Sequence, residues 1–223
     1  MSADTVSVIV SDFGQREPSW ERLRSCIGAL AVQQGVEQTE VLLCEMPWLY
    51  GQVPDYICEL LPNLRIVRCD STDPHSRKTM AVREAAGSVV AFLDADCLPQ
   101  AGWLRQVNDT FHYYPEAAMV HGRMVGEDGR WQGQLRKFFC GPDSTEGAPA
   151  HFTATNNAAF RREVYCEYPF PAGSGGQAVR IQTAAMLRAH YLLWREPAML
   201  VLRDRRVMRQ GAGVALEQFA ATR

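Results

Sequence analysis

Several things are missing from this sequence, and each absence closes off a class of protein. Its seven cysteines, at 26, 44, 58, 69, 97, 140 and 166, form no C-x-x-C pair, which argues against a zinc knuckle. Several sit in apolar runs, where cysteine behaves as a small hydrophobe, and the pattern reads as a reducing compartment. There is no basic excess: 23 Lys and Arg stand against 25 Asp and Glu, for a formal net charge of -2. No global field therefore attracts nucleic acid. Arginines do lean toward the C-terminus (Arg203, Arg205, Arg206, Arg209), which reads first as a solvated charged edge and leaves room for peripheral contact with an anionic lipid surface. No apolar run approaches the ~20 residues of a membrane-spanning helix. No basic segment leads into a long apolar stretch as in a signal peptide. A soluble, cytoplasmic protein is the expectation. Internal repeats and low-complexity segments are absent as well.

What is present, over 223 residues of which 47% are hydrophobic, is enough to bury a sizeable core. Apolar runs at 6–10, 41–44, 64–67 and 89–93 alternate with segments of helical spacing, such as Trp20, Leu23, Ile27 and Leu30, or residues 76–86 stopped by Gly87. Strand and helix in alternation predict an α/β fold with a parallel sheet whose strands are buried on both faces. Beyond Pro99 the spacing predicts a helix carrying Trp103, Leu104, Val107 and Phe111, then a strand at 117–120. A Gly-, Pro-, Asp- and Ser-rich loop follows over 126–150, then an extended run over 152–160, a helix over 178–189, short strands near 191–194 and 199–202, and a short helix from Val214.

The most informative stretch is Val89 to Pro99, "VVAFLDADCLP", where a buried strand runs into two aspartates one residue apart. In open parallel sheets, ligands bind beyond the carboxyl ends of the strands. Two carboxylates there repel, and a hard divalent cation with water and substrate phosphates would resolve the conflict. A turn whose aspartates cap the next helix is an equally good reading of D-x-D alone.

The surrounding residues break that tie. "GSVVAFLDADCLPQAGWL" closely resembles the central motif of family-two glycosyltransferases, A-x-G-x-x-V-x-F-L-D-A-D, through Ala86, Gly87, Val90, Phe92, Leu93, Asp94, Ala95, Asp96, Pro99, Trp103 and Leu104. "VSVIVSDFGQRE" resembles the family's first strand and loop, "EVLLCE" its second strand, "SRKTMAVREAAG" its A-R-N-x-G helix, and "NNAAFRREVY" its later N-x-A-F-R-R motif. The resemblance implies a GT-A fold: a Rossmann-like, mostly parallel mixed sheet flanked by helices. It implies a single domain over 1–223, with a nucleotide-sugar-binding half at 1–98 and an acceptor-side half at 99–223. Ser11, Asp12, Phe13, Glu45, Lys78, Asp94 and Ala95 would then bind the nucleotide-sugar, and Asp94 and Asp96 would hold Mn2+ or Mg2+. Asn157 and Arg161 would lie on the acceptor side. The implied reaction is inverting transfer from a UDP- or GDP-sugar to a saccharide, lipid or natural-product acceptor, in a setting such as polysaccharide assembly.

Two departures from the pattern bear on the chemistry. The family's late Glu-Asp pair, which carries the catalytic base, is replaced here by Gln177-Ala178, and neither side chain accepts a proton. Asp143, Glu146 and His151, in or beside the irregular loop, are substitutes. The alternative is a catalytically impaired nucleotide-sugar-binding module acting through a partner. Arg203 also stands near the place where the family often has a further metal-ligating histidine. His75, His112, His121 and His190 show no paired metal spacing, and Trp131 is the one tryptophan placed in a loop where it could stack on a sugar.

Overall fold

The computed structural model describes residues 4–11, 19–126 and 146–203. Asp12, Phe13, Trp131, Cys140, Asp143, Arg205, Arg206, Arg209 and the helix expected from Val214 lie outside them.

The first half follows the expected alternation. Strands β1 (Val6–Ser11), β2 (Glu40–Glu45), β3 (Leu64–Arg68) and β4 (Val89–Asp94) run parallel in the order β3-β2-β1-β4. Every residue of β1 and β4 is buried. The two serines of β1 are tolerated there because each hydroxyl donates to a carboxylate: Ser7 to Glu40 and Ser11 to Asp94. Helix α1 (Trp20–Ala31) buries Leu23, Cys26, Ile27 and Leu30, one face at i, i+3, i+4 and i+7. It ends at Ala31, and Gly35 takes the left-handed conformation (φ 84°) in the turn beyond. Helix α2 (Asp55–Cys58) is a single turn. Helix α3 (Pro74–Glu84) starts two residues earlier than the spacing predicts. Asp73 caps it, accepting from the Ser76 backbone N–H and hydroxyl at 2.7 Å each, and Pro74 suits a first turn.

The second half adds β5 (Cys97–Pro99), α4 (Trp103–Tyr113), β6 (Ala117–Gly126), β7 (Ala148–Pro149), β8 (Asn157–Arg161), α5 (Arg162–Glu167), α6 (Ala178–Arg188) and β9 (Leu192–Arg203). Strand β8 inserts antiparallel between β4 and β6, and the sheet continues β4-β8-β6-β9-β5, with β7 against β9. This is the mixed, parallel-dominated architecture expected. The differences are local. Strand β5 and helix α5 are too short for periodicity to reveal, and the extended run over 152–160 narrows to β8. The two short strands near 191–194 and 199–202 are one strand carrying a bulge.

That bulge matters. Gly122 of β6 faces Glu196, but Arg123 faces Leu200, so three residues of β9 (197–199) are unmatched. Gly122 permits the close approach: a Cβ there would run into the Met199 carbonyl oxygen and the Asn157 Nδ2. The Asn157 amide stitches the bulge, donating to the carbonyls of Met199 (2.8 Å) and Arg123 (3.1 Å) and accepting from the Trp103 indole (2.8 Å).

Apolar side chains form two clusters, one on each face of the sheet. Ile27, Leu30, Trp103 and Phe111 lie in the first, with α1 and α4. Phe92, Phe160, Tyr165 and Phe170 lie in the second, edge to face, with Phe92 and Tyr165 centroids 5.4 Å apart.

Gly122→Ala is expected to destabilise the fold by about 1–3 kcal/mol through overpacking, seen as a lower urea midpoint. His121, buried in β6, gives a second test. Burial drives its imidazole pKa from 6.5 down to about 4, opposed by the Gly122 backbone and aided by Arg195. The fold thus favours neutral His121, and that stability is complete above pH 6.5 and lost as pH falls toward 4. In a His121→Leu variant, the loss of unfolding free energy across that window should shrink by about 2–3 kcal/mol, measured by urea titration at each pH.

Candidate active site

Ser11, Cys44 and Asp94 stand abreast in register at the carboxyl ends of β1, β2 and β4, with Glu45 one residue further along β2. This is the edge at which open parallel sheets bind ligands. The Asp94 carboxylate is almost wholly out of solvent, and one oxygen, Oδ1, accepts from Lys78 Nζ at 2.8 Å and from Ser11 Oγ at 3.2 Å. Lys78, on the inner face of α3, is fully buried at 0% side-chain exposure, which excludes a surface lysine. Its ammonium also donates to the Thr155 carbonyl at 2.9 Å and lies 5.5 Å from the Phe92 ring centroid. Ala95 is buried too, its backbone N–H donating to the Ser11 carbonyl at 2.9 Å.

Asp96 is set differently. Its side chain keeps 18% exposure, and Oδ2 accepts from Arg203 Nε at 2.8 Å. Strand pairing makes that contact, because Cys97 of β5 is directly opposite Arg203 of β9. Burial works against the Arg203 charge, but Asp96 more than offsets it and holds the guanidinium above the ordinary arginine range. The neighbouring thiols of Cys26 and Cys97 are pushed up by burial, then by Asp96 and Asp94, so both stay protonated and unreactive.

Glu45 is buried. Its Oε1 accepts from the Gly51 N–H at 2.7 Å, closing the turn after β2, and Oε2 is 3.8 Å from Arg68 Nε. The structure therefore brings Ser11, Glu45, Asp94 and Ala95 to one edge, with Lys78 behind Asp94 and Asp96 just beyond.

Asn157 and Arg161, expected on the acceptor side, both donate to backbone carbonyls. Asn157 pairs with Leu93, near the site in height, but its amide is spent on the β9 bulge and Trp103. Arg161 pairs with Val89, at the opposite end of β4 from Asp94. There it donates to the carbonyls of Pro115 and Phe111 at the end of α4 and is 3.4 Å from Asp4. Gln177 is exposed just before α6, and Ala178 is buried. Glu146 and His151 are exposed on either side of β7, four strands from β4 in the sheet order.

The donor set is a poor one for a divalent cation: Lys78 already holds Asp94 Oδ1 and Arg203 holds Asp96 Oδ2, so the two carboxylates are neutralised and only Asp94 Oδ2 and Asp96 Oδ1 are left to a metal. Among the described residues no group of three or more His, Cys, Asp or Glu side chains could hold a metal. Two cations that decide this were only half legible in sequence. Arg203 stands out in the sequence by its position and Lys78 by the family resemblance, but their pairing with Asp96 and Asp94 is visible only in the structure.

The family model "Glycosyl transferase family 2" matches residues 52–188, more than half of the chain. No curated protein matches. Among solved structures, GalNAc-T7 with UDP, GalNAc and Mn2+ aligns at TM-score 0.71 and 16% identity, over 92% of this chain and 44% of that one. S. aureus TarS 1-349 in complex with UDP-GlcNAc aligns at TM-score 0.68 and 17% identity, over 91% and 59%. These likenesses show the GT-A fold, and the chain spans less than two thirds of either neighbour. Among the described residues no helix is long and apolar enough to cross a membrane.

Lys78→Met should destabilise the fold by about 3–5 kcal/mol, because it leaves the buried Asp94 charge without its partner. Arg105→Ala, which removes an exposed pair with Asp109 at 3.9 Å, should cost under about 0.5 kcal/mol. Urea unfolding of both variants at pH 7 checks the contrast.

Proposed function

Because the chain belongs to glycosyl transferase family 2, we propose that it transfers a sugar from a UDP- or GDP-sugar to a saccharide, lipid or small-molecule acceptor, inverting the anomeric carbon in one displacement. The observation that carries this reading is the Asp94-x-Asp96 pair at the ligand-binding edge of the sheet, with Ser11 and Glu45 beside it. The two structural neighbours, one solved with UDP and the other with UDP-GlcNAc, favour a uridine nucleotide.

In this reading residues 1–98 hold the donor and 99–223 shape the acceptor side. Glu45 offers its second carboxylate oxygen to the N–H groups of the base, while its first braces the turn through Gly51. Asp94, held by Lys78 and Ser11, presents its other oxygen, Oδ2, to the ribose hydroxyls. A pre-oriented carboxylate is a strong hydrogen-bond acceptor because its own partners have already removed its rotational freedom. Mn2+ or Mg2+ on Asp94 and Asp96 is the partner the family resemblance suggests for the diphosphate. Both carboxylates already carry a cation of the chain, Lys78 on Asp94 and Arg203 on Asp96.

The acceptor hydroxyl must lose a proton as it attacks. Gln177 and Ala178 cannot take it, Glu146 and His151 flank β7 rather than β4, and Asp143 lies outside the described residues. This observation favours the second reading, a module that binds a nucleotide-sugar and turns it over poorly. A missing base costs about 10²–10⁴-fold in rate while leaving donor binding in place.

Calorimetric titration with UDP and GDP, followed by donor-sugar hydrolysis on the same sample, separates these readings. Binding of one nucleotide with slow hydrolysis is expected, and Gln177→Glu should raise hydrolysis by about tenfold or more if that position faces the acceptor. Failure of both nucleotides to bind at about millimolar concentration, weaker than roughly -4 kcal/mol, would overturn the nucleotide-sugar reading.

A further inference from the structure

We propose that Arg203 is the diphosphate-binding cation of this protein: its guanidinium, anchored by Asp96, takes the negative charge of the donor diphosphate and of the leaving group. The inference rests on the nucleotide-sugar reading above and deepens it.

Charge and geometry carry it. Asp94 with Lys78 and Asp96 with Arg203 make two closed pairs, so the four groups sum to zero before any ligand arrives. A diphosphate arriving at this edge needs a cationic N–H donor that can still face it. Lys78 cannot supply it, being fully buried and donating to Asp94 and Thr155. Arg203 keeps 25% of its side chain exposed. The bond to Asp96 runs through Nε. A guanidinium carries five N–H donors in a rigid planar fork, and this bond uses one of them. The remaining edge has the geometry that grips two oxygens of a phosphate at once.

The backbone sets the position. Arg203 is held opposite Cys97 by the β5–β9 pairing, and β9 reaches that register through the bulge stitched by Asn157. Asp96 thereby acts as a positioning residue, fixing the Nε edge of the guanidinium beside the end of β4. During transfer the bond between the anomeric carbon and the diphosphate oxygen breaks, and its electron pair stays on the diphosphate. The acceptor oxygen forms the new bond to that carbon and gives up its proton to solvent. In hydrolysis the acceptor is water, and its proton passes to solvent. Arg203 stabilises the charge left on the diphosphate and forms no covalent bond.

The test is calorimetric titration of the full chain with UDP and GDP, first in EDTA and then in excess MnCl2, with UMP and GMP as ligands lacking the second phosphate. The nucleotide that binds is expected to do so with affinities within about threefold in EDTA and in manganese, since the cation is built into the chain. Arg203→Ala should weaken diphosphate binding by about 10–100-fold in EDTA, the worth of a charge-assisted bidentate contact, and leave the monophosphate nearly unaffected. Arg203→Lys, a point charge without the fork, should fall between. Arg203→His places an imidazole next to Asp96 and should recover binding in manganese only. Thermal melts of each variant report folding, and the monophosphate arm reports an intact base and ribose site. Wild-type binding that disappears in EDTA and returns with manganese would overturn the proposal and leave the donor reading standing. So would an Arg203→Ala protein that binds the diphosphate in EDTA as tightly as wild type. No binding of any nucleotide in either condition would overturn both.

Discussion

The carboxylate of Asp94 is withdrawn from water at the end of the central strand, and the surrounding structure is organised to make that tolerable. Burying an isolated carboxylate costs several kcal/mol even after the protein relaxes. Lys78 meets it at 2.8 Å, also fully buried, and neither charge would be stable there without the other. The pair in turn requires α3 to be capped and phased so that Lys78 faces the sheet, which Asp73 and Pro74 arrange. It also requires Thr155 to supply a carbonyl and Ser11 a hydroxyl. One ion pair thus ties α3, β1, β4 and the segment before β8 into a rigid edge, and rigidity is what a site needs in order to hold a donor in one orientation.

A second constraint shapes the other side of the site. Strand β9 must run beside β6 and then meet β5, and it does so by carrying three unmatched residues past Gly122. The carbonyls this exposes would be costly if left without donors. Asn157 satisfies two of them from β8 and accepts the Trp103 indole from α4. The consequence reaches the site, because the same strand ends at Arg203, opposite Cys97 and bonded to Asp96. Packing in the core and charge at the site are two results of one bulge.

Much of this was legible in the residues. The apolar runs marked the first four strands because parallel strands buried on both faces have to be apolar throughout. The helical phase of Trp103, Leu104, Val107 and Phe111 marked α4 and its inner face. The motif around Asp94 points to the carboxyl edge of the sheet. Short elements were not legible: β5 spans three residues and α5 six, too few for a period to be seen. The motif "NNAAFRR" was visible as a motif, yet its work was hidden. Asn157 and Arg161 look like polar site residues in sequence, and both turn out to satisfy backbone carbonyls, one at the bulge and one at the end of α4.

The alternation of strand and helix in the first half, the family and the edge where a ligand would bind follow from the sequence by itself, because they depend on local patterns of burial and on one specific motif. What those patterns leave open is which charge neutralises which. Lys78 lies 16 residues from Asp94 and Arg203 lies 107 from Asp96. Electrostatic energy depends on distance in space and on exclusion of water, and neither is written along a chain. Only the packing of α3 against the sheet and the pairing of β5 with β9 brought these groups within hydrogen-bonding reach, and so decided which cation neutralises each aspartate.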